Sequence, residues 1–407
     1  MRILIVSQYF YPERFRINEL ALELKKRGHE VRVFTGKPNY PQGKFYKGYS
    51  FFKPGKESWN GIEINRVPLI PRGSSSIGMI LNYLSFWFFG SAEIHQMAEF
   101  QPDIIYVFET SPITGCMPAL RLKRKIHKPV IMNVQDLWPE NVVAITGVQN
   151  KLVIGMLERL VKYIYRNCDL LLTASRSFIP SILKRLPMEQ TQQDKVKYWP
   201  QFAVVRSTCY KAHENRKYFD IMFTGNLGEG QGLDLVVDAA DILRRQGEER
   251  IRFLLVGDGR DRERLTRRVT QLQLEERVLF LGAKPEPEIP ELLHLADAAL
   301  LILKKSPIFE MTLPAKLQTY LACGMPILGC VEGEARQVIL EAGTGMAAEQ
   351  MTAQGLAEAA QKFAKFDKKS LQEYSENGYR YGQEQFTQEI LVEQLEKEMR
   401  KLIHVNI

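Results

Sequence analysis

The stretch Tyr218–Gly232, YFDIMFTGNLGEGQG, decides the fold. It reads as a short apolar strand that runs into the glycine-rich loop Gly225-Asn226-Leu227-Gly228-Glu229-Gly230-Gln231-Gly232, ahead of a helix near Leu233–Arg245. The alternation then continues. The strand Arg252–Val256 precedes a helix near Arg260–Leu272, the strand Val278–Leu281 a helix near Pro287–Leu295, and Ala298–Leu303 is a further strand. Continuous apolar strands alternating with helices predict an α/β domain built on a parallel, doubly wound sheet.

The same pattern occupies the chain before that stretch. Ile3–Val6 is a short apolar strand. Ile17, Leu20, Ala21 and Leu24 recur at helical spacing, Lys25-Lys26-Arg27 fill the last turn, and Gly28 stops it. Val31–Phe34, Asp103–Phe108, Val130–Val134 and Leu170–Ala174 are further strand candidates. At 407 residues the chain is too long for one ordinary core, so two domains of roughly 200 residues each are expected. The expected boundaries are 1–197 and 198–380, with 381–407 as a terminal helix. That helix is expected over Gln383–Leu402, with Phe386, Ile390, Leu391, Leu395 and Met399 on one face. The polar Leu186–Lys217 reads as a linker with short structured pieces.

Composition narrows the functional classes. The chain is 45% hydrophobic and 25% charged, without a low-complexity tract, which is a globular balance. Cys116, Cys168, Cys209, Cys323 and Cys330 are scattered, with no CxxC and no His at ligand spacing. A reducing compartment is expected, and a disulfide scaffold or structural zinc is excluded. Met1-Arg2 enters the first strand directly, so no secretory leader is expected. Residues 1–200 hold 28 Lys+Arg against 16 Asp+Glu, and the remainder holds 27 against 31. A balance of +12 facing −4 suits an anionic membrane surface or another anionic partner, or is simply an uneven solvated face. Nucleic acid is disfavoured, because the basic residues are dispersed and no reading motif occurs. Ile77–Phe89 is the most apolar run, with four aromatics near its end. It is about 13 residues long, short of the roughly 20 that cross a bilayer. It reads as an interfacial helix over 77–92 that lies on a membrane, or as a buried helix of the first domain.

The chemistry points to a phosphate. In Ser306–Gly324, SPIFEMTLPAKLQTYLACG, Thr312-Leu313-Pro314 lead into a helix whose first amides and positive dipole end suit an anion. Glu310 precedes it, and Lys316, Gln318 and Thr319 lie inside it, within reach of a ribose, a sugar or a diphosphate. Gly225, Gly228 and the Gly257-Asp258-Gly259 turn allow close approach of backbone to phosphate, or form ordinary strand-to-helix turns. Backbone groups at Gly257-Asp258-Gly259 and around Lys284-Pro285 would hold the uracil end of a nucleotide. Asp136 follows the strand ending at Val134, where open α/β sheets bind ligands, and touches an acceptor hydroxyl or caps the next helix. No DxD, HExxH or GxSxG occurs, so a metal-free transfer without further cofactor is expected. The six histidines are isolated and read as surface or packing residues.

Taken together, GNLGxxQGL (225–233), Asp136-Leu137-Trp138-Pro139-Glu140 and TLPAKLQTYLACG (312–324) resemble the retaining GT-B glycosyltransferases of family 4, group 1, and within them the WbuB-like N-acetyl-L-fucosamine transferases. The resemblance covers essentially the whole chain. It implies two Rossmann-like domains facing a cleft, with the terminal helix crossing back to the first. The implied reaction moves a deoxy amino sugar from a UDP-sugar to a polyprenyl-diphosphate-linked saccharide, at the cytoplasmic face of the plasma membrane, for O-antigen or capsule. It assigns Asp136, Lys316 and Glu310 to catalysis. Gly225, Asn226, Gly228, Gln231, Gly257, Asp258, Gly259, Lys284, Thr312, Leu313, Pro314, Gln318 and Thr319 go to the donor. Glu13, Arg14, Arg16, Trp138 and Glu140 go to the acceptor, Trp138 by stacking on a sugar face. The chain departs from the family where an Arg and a Lys usually clamp the diphosphate; Asn226 and Gln231 stand there, and Lys316 is the substitute cation. Thr319 stands where the second of two glutamates is usual. A UDP-sugar 2-epimerase of the same fold and a non-catalytic sugar-nucleotide-binding subunit are the alternatives.

Overall fold

In the computed structural model, residues 1–53, 55–73, 75–203, 207–213 and 216–405 are described. Residues 204–206 and 214–215 of the expected linker, and 406–407 of the expected terminal helix, lie outside them. The chain divides into two units, Met1–Trp199 with Val392–Ile407, and Pro200–Leu391.

The first unit is an eight-stranded sheet: β1 (Arg2–Val6), β2 (Glu30–Gly36), β3 (Lys56–Trp59), β4 (Ile62–Val67), β5 (Ile104–Glu109), β6 (Val130–Val134), β7 (Leu170–Thr173) and β8 (Val196–Tyr198). Their order is β3-β4-β2-β1-β5-β6-β7-β8. All pairs are parallel except the β3–β4 hairpin at one edge. The helices are α1 (Arg16–Lys26), α2 (Ser76–Ala92), α3 (Ile94–Glu99), α4 (Met117–Ile126), α5 (Glu140–Thr146), α6 (Lys151–Asn167), α7 (Ile179–Leu183) and α8 (Gln190–Gln193). β5 and β6 are buried throughout, which is why they read as unbroken apolar runs. The apolar stripe of α1, Ile17, Leu20, Ala21 and Leu24, is its buried face.

The second unit is a six-stranded, all-parallel sheet: β9 (Phe219–Thr224), β10 (Ile251–Val256), β11 (Val278–Gly282), β12 (Ala298–Ile302), β13 (Ile327–Cys330) and β14 (Gly345–Ala347). The order is β11-β10-β9-β12-β13-β14. Its helices are α9 (Asp234–Arg245), α10 (Arg262–Gln271), α11 (Ile289–Leu293), α12 (Pro307–Met311), α13 (Ala315–Ala322), α14 (Gly333–Glu341), α15 (Ala353–Phe363) and α16 (Lys368–Gln385). The order of strands reverses between β1 and β5 in the first sheet, and between β9 and β12 in the second. At such a reversal the flanking connections leave in opposite directions and open a crevice at the carboxyl ends.

Several features depart from the expectations. The β3–β4 hairpin, β8, β13 and β14 were not anticipated. The hairpin turns on Asn60 and Gly61, both at positive φ (49° and 71°), which is the backbone an Asn-Gly turn supplies. The terminal helix is not continuous from Gln383. α16 ends at Gln385, and α17 (Gln388–Val405) starts after a break. Phe386 there is buried, and its carbonyl accepts from the Ala203 amide at 2.9 Å. From Val392 onward α17 belongs to the first unit, where Glu396 meets His29 (2.5 Å) and Arg27 (3.2 Å), and Glu398 meets Lys197 (2.5 Å).

Candidate active site

In the second unit the loop after β9 is built from backbone against backbone. The Gly225 amide donates to the Val256 carbonyl (2.9 Å), Leu227 to Asp258 (2.9 Å), and Asp261 to Leu227 (3.0 Å). Gly257 has φ 147°, and a Cβ there would lie 1.8 Å from the Gly225 oxygen; a Cβ at Gly259 would lie 2.3 Å from the Leu227 oxygen. These two glycines are therefore required by the meeting of the loops after β9 and β10, a packing reason that stands beside their expected approach to a nucleotide. The other side of the loop is held just past β12, where the Lys304 backbone amide donates to the Gly230 carbonyl at 2.9 Å.

Lys316, in the first turn of α13, reaches this loop. Its Nζ lies 4.0 Å from the centroid of the Phe223 ring and donates to the Gln231 side-chain oxygen. It also stands 3.6 Å from where a Cβ on Gly225 would be. The residue as a whole is half-buried, but its ammonium end lies between an aromatic face and an amide. That loss of hydration pushes its pKa down to about 7. Among the described residues no carboxylate pairs with it. Tyr320, one turn later, accepts from the Thr224 amide (3.0 Å) and donates to the Leu300 carbonyl (3.3 Å), tying α13 to β9 and β12. The α13 start is thus fixed beside the Gly225 loop at the β9/β12 reversal. Glu310, in α12, is half-buried, and its carboxylate has no partner among the described residues. Its backbone packs on Gly333 (φ 67°), where a Cβ would lie 1.9 Å from the Glu310 oxygen.

Other expected donor residues stand differently. Gln318 is buried, and with its amide turned to donate, the nitrogen reaches the Pro314 and Ala315 carbonyls at 3.0 Å. Its side chain thus serves the helix start. Thr319 bonds back to the Ala315 carbonyl (3.4 Å), and Thr312 to that of Ile308 (2.7 Å). Leu313 is buried and Pro314 is the residue before α13. Asp258 accepts from the Gly259 amide at 2.8 Å and faces Arg262 at 3.6 Å, so it caps its own turn. Asn226 and Lys284 are exposed, and a Cβ on Gly228 would lie 2.7 Å from the Asn226 side-chain nitrogen.

The first unit treats its expected residues otherwise. Glu13 is 1% exposed. Its carboxylate accepts from the amides of Asn39 (2.8 Å), Tyr40 (2.7 Å) and Phe10 (3.3 Å), while burial pushes its pKa up to about 7. It joins the loops after β1 and β2 and does not face an acceptor. Trp138 is 6% exposed and donates to the Ser111 hydroxyl at 3.1 Å, so its ring offers no face to a sugar. Glu140 pairs with Arg185 (2.9 Å) and accepts from Ser181 (2.7 Å). DLWPE is thus a packed corner whose large and charged groups fill or tie it. Asp136 remains half-buried, accepting from the Ser111 amide at 2.7 Å. Arg14 is exposed, and Arg16 is half-buried at the first position of α1.

Sequence reasoning missed Glu109, the last residue of β5. It is buried, among the described residues neither carboxylate oxygen has a hydrogen-bond partner, and burial, reinforced by the nearby Asp136, raises its pKa well above the usual range. Its only sequence signal is a charge ending an apolar strand. Also missed is a buried amide network at the carboxyl ends of β1, β2 and β4. Gln8 donates to Asn82 (2.7 Å), Asn82 to the Ile70 carbonyl (2.6 Å), and the Arg72 amide to Asn39 (3.0 Å). Among the described residues, no three His, Cys, Asp or Glu side chains converge to hold a metal.

Comparisons agree with this architecture. Residues 210–381 match the family model "Glycosyl transferases group 1", and residues 14–186 the model "Glycosyl transferase 4-like domain". The chain is 27% identical over 347 residues to the putative colanic acid biosynthesis glycosyl transferase WcaI of Escherichia coli, covering 80% of this chain and 82% of that one. In structure it is similar to the sucrose-phosphate synthase of Thermosynechococcus elongatus, with a TM-score of 0.75 at 15% identity over all of both chains. It is also similar to the Anabaena HepE in complex with UDP, with a TM-score of 0.72 at 14% identity over 98% of this chain and 100% of that one.

Proposed function

The chain belongs to the GT-B glycosyltransferases of family 4, group 1, and on that premise we propose that it moves a deoxy amino sugar, such as N-acetyl-L-fucosamine, from a UDP-sugar to a polyprenyl-diphosphate-linked saccharide with retained anomeric configuration. The observation that carries the reading is Lys316: a cation without a carboxylate partner among the described residues, held in a dry setting against a glycine loop. An isolated buried ammonium is costly, and it persists where an anion completes it. A nucleoside diphosphate fits that need. Its negative charge grows as the sugar departs, so Lys316 and the first amides of α13 act most strongly on the leaving UDP. Glu310, without a partner among the described residues, is assigned to a donor hydroxyl, and Asp136 to the incoming acceptor hydroxyl, with Arg14 and Arg16 beside the acceptor. The reaction breaks the bond from the anomeric carbon to the diphosphate, forms one to the acceptor oxygen, and releases UDP and a proton.

The uridine donor is supported by HepE, whose structure holds UDP, and the role in surface polysaccharide biosynthesis (O-antigen or capsule) by WcaI, named for colanic acid. The lipid-linked acceptor and a peripheral place on the inner face of the plasma membrane are supported by the basic first half and by the exposed apolar face of α2. Among the described residues no helix is long and apolar enough to cross a membrane. Thermal stabilisation by a nucleotide panel tests the reading. A raised midpoint with UDP, and little change with GDP, ADP or NAD, is expected, followed by transfer from one member of a UDP-sugar panel. No shift with any nucleotide at millimolar concentration contradicts it.

A further inference from the structure

The helix α2 is inside out. It buries Asn82, Tyr83, Ser85, Phe86, Gly90 and Ser91, mostly polar or small. It exposes Ile77, Ile80, Leu81, Leu84 and Phe88, which follow one another at i, i+3, i+4, i+7 and i+11 and so form one stripe. Ile77 and Phe88, at the ends of the stripe, are 71% and 69% exposed. The inner face is polar because Asn82 and Ser85 hold the chain around Ile70, through the Ile70 carbonyl (2.6 Å) and its amide (2.9 Å). It is small because Gly90 sits against Pro118 of α4, where a Cβ would be 2.8 Å away. The outer face has no such reason to be apolar. Contiguous apolar surface of this kind marks an interaction site.

The C-terminal half of the stripe opens into a groove of about 870 Å³ shared with α3 and α4. That volume lies within the roughly 300–1,000 Å³ of small-ligand sites. Leu84, Trp87 and Phe88 of α2 and Met117 of α4 supply its apolar wall, and Arg121, Arg124 and Lys125 of α4 its other side. These three cations are exposed and make no ion pair among the described residues. Their neighbour Lys123 differs, its charge taken up by Asp169 at 2.7 Å.

We propose that this groove seats one anionic membrane phospholipid, with an acyl chain along Leu84, Trp87, Phe88 and Met117 and the phosphate against Arg121, Arg124 and Lys125. An apolar wall facing uncompensated cations is complementary to a molecule with a long apolar tail and an anionic head. A protein partner lacking carboxylates would leave the cations uncompensated. The remaining stripe, Ile77 to Leu81, then lies in the same interface, so α2 rests on the membrane with α4 clamping a headgroup. The proposal deepens the membrane-facing part of the functional reading and is independent of the donor site.

The probe is dioctanoyl phosphatidylglycerol below its micelle concentration, followed by flotation with vesicles of phosphatidylcholine alone or mixed with phosphatidylglycerol. The full chain is expected to bind the short lipid saturably, one per chain, and to float more strongly with the anionic vesicles. Each basic residue near an anionic surface contributes roughly five-fold in affinity. The exposed triple variant Arg121→Gln/Arg124→Gln/Lys125→Gln should therefore bind anionic vesicles roughly a hundred-fold more weakly and neutral ones nearly unchanged. Leu84→Ser/Phe88→Ser should lose both. Stabilisation by UDP should persist in each, which shows that the fold and the donor site survive. Equal binding to both vesicles, no saturable binding of the short lipid, or a triple variant that binds like wild type overturns the proposal. So does a triple variant that keeps vesicle binding but raises KM for the lipid-linked acceptor, since the groove would then belong to the acceptor.

Discussion

The two sheets end their central strands in opposite ways. In the second unit, the ends of β9, β10 and β12 present main chain and the half-buried Lys316. The glycine loops lock to each other, and Lys316 is left without an anion among the described residues. In the first unit, the ends of β1, β2, β5 and β6 present side chains that find local partners: Glu13 in three main-chain amides, Trp138 on Ser111, Glu140 on Arg185. One site is electrostatically incomplete and the other is largely complete. An incomplete site has a charge to offer a ligand. A complete one offers shape and the few groups left over, here Asp136 and the buried Glu109.

That contrast breaks most sharply at Lys316. Lys316→Met keeps the length and apolar stem but removes the charge. Turnover should fall roughly 10²- to 10³-fold, the loss of one preorganised stabiliser of developing charge. The unliganded protein should nevertheless gain stability at pH 7 and below. A lysine whose folded pKa is lowered to about 7 destabilises the fold while it must carry its proton there. Wild-type stability therefore rises as pH increases from about 7 toward the unfolded lysine value near 10.4, and the variant should lack that rise. Kinetics and thermal melts across pH read both effects.

The interlocked loops give the next largest effect. Gly257→Ala forces a Cβ onto the Gly225 oxygen at a φ that L-residues avoid. It should destabilise by about 3 kcal/mol, read as a lower denaturant midpoint, with UDP binding lost in parallel. In the first unit, Glu109→Gln sharpens the comparison. A carboxyl whose folded pKa is raised stabilises the fold below its unfolded value near 4.3, and that stability is lost as pH rises through the window above. The wild type should lose about 1.4 kcal/mol per pH unit there relative to the variant. Trp138→Phe should show the smallest change, about 1 kcal/mol from one lost hydrogen bond, with no selective change in acceptor KM. A large and selective rise in that KM would return the ring to the acceptor.

The same contrast sets what the sequence reveals. Parallel strands buried on both faces write continuous apolar runs, so β1, β5, β6, β9 and β10 and the two-domain α/β plan are legible. Glycines that need positive φ or close approach are legible too, and at Gly257 and Gly259 the close approach is that of one loop to the other. Lys316 meets the Gly225 loop because β9 and β12 are neighbours at the reversal, a placement that topology supplies. Side-chain direction in irregular corners is not written in spacing. Glu13, Trp138 and Glu140 look like site residues by type, but amides, a hydroxyl and an arginine distant in sequence turn them inward. The β3–β4 hairpin escaped because its half-polar strands, β3 at the edge and β4 beside it, lack an apolar run, although Asn60-Gly61 marks its turn. Glu109 escaped because a single charge at a strand end has no pattern.

The central claim is that Lys316 waits for the diphosphate of a uridine nucleotide. It is tested most directly by calorimetric titration of UDP at pH 8 in two buffers of different ionisation enthalpy. There the ligand's phosphates are already ionised, and Lys316 is mostly neutral in the free protein. The account predicts that the wild type takes up close to one proton per UDP bound, and that Lys316→Met takes up none and binds at least about ten-fold more weakly, a difference of about 1.4 kcal/mol. Equal affinity with no proton uptake in either protein would contradict it.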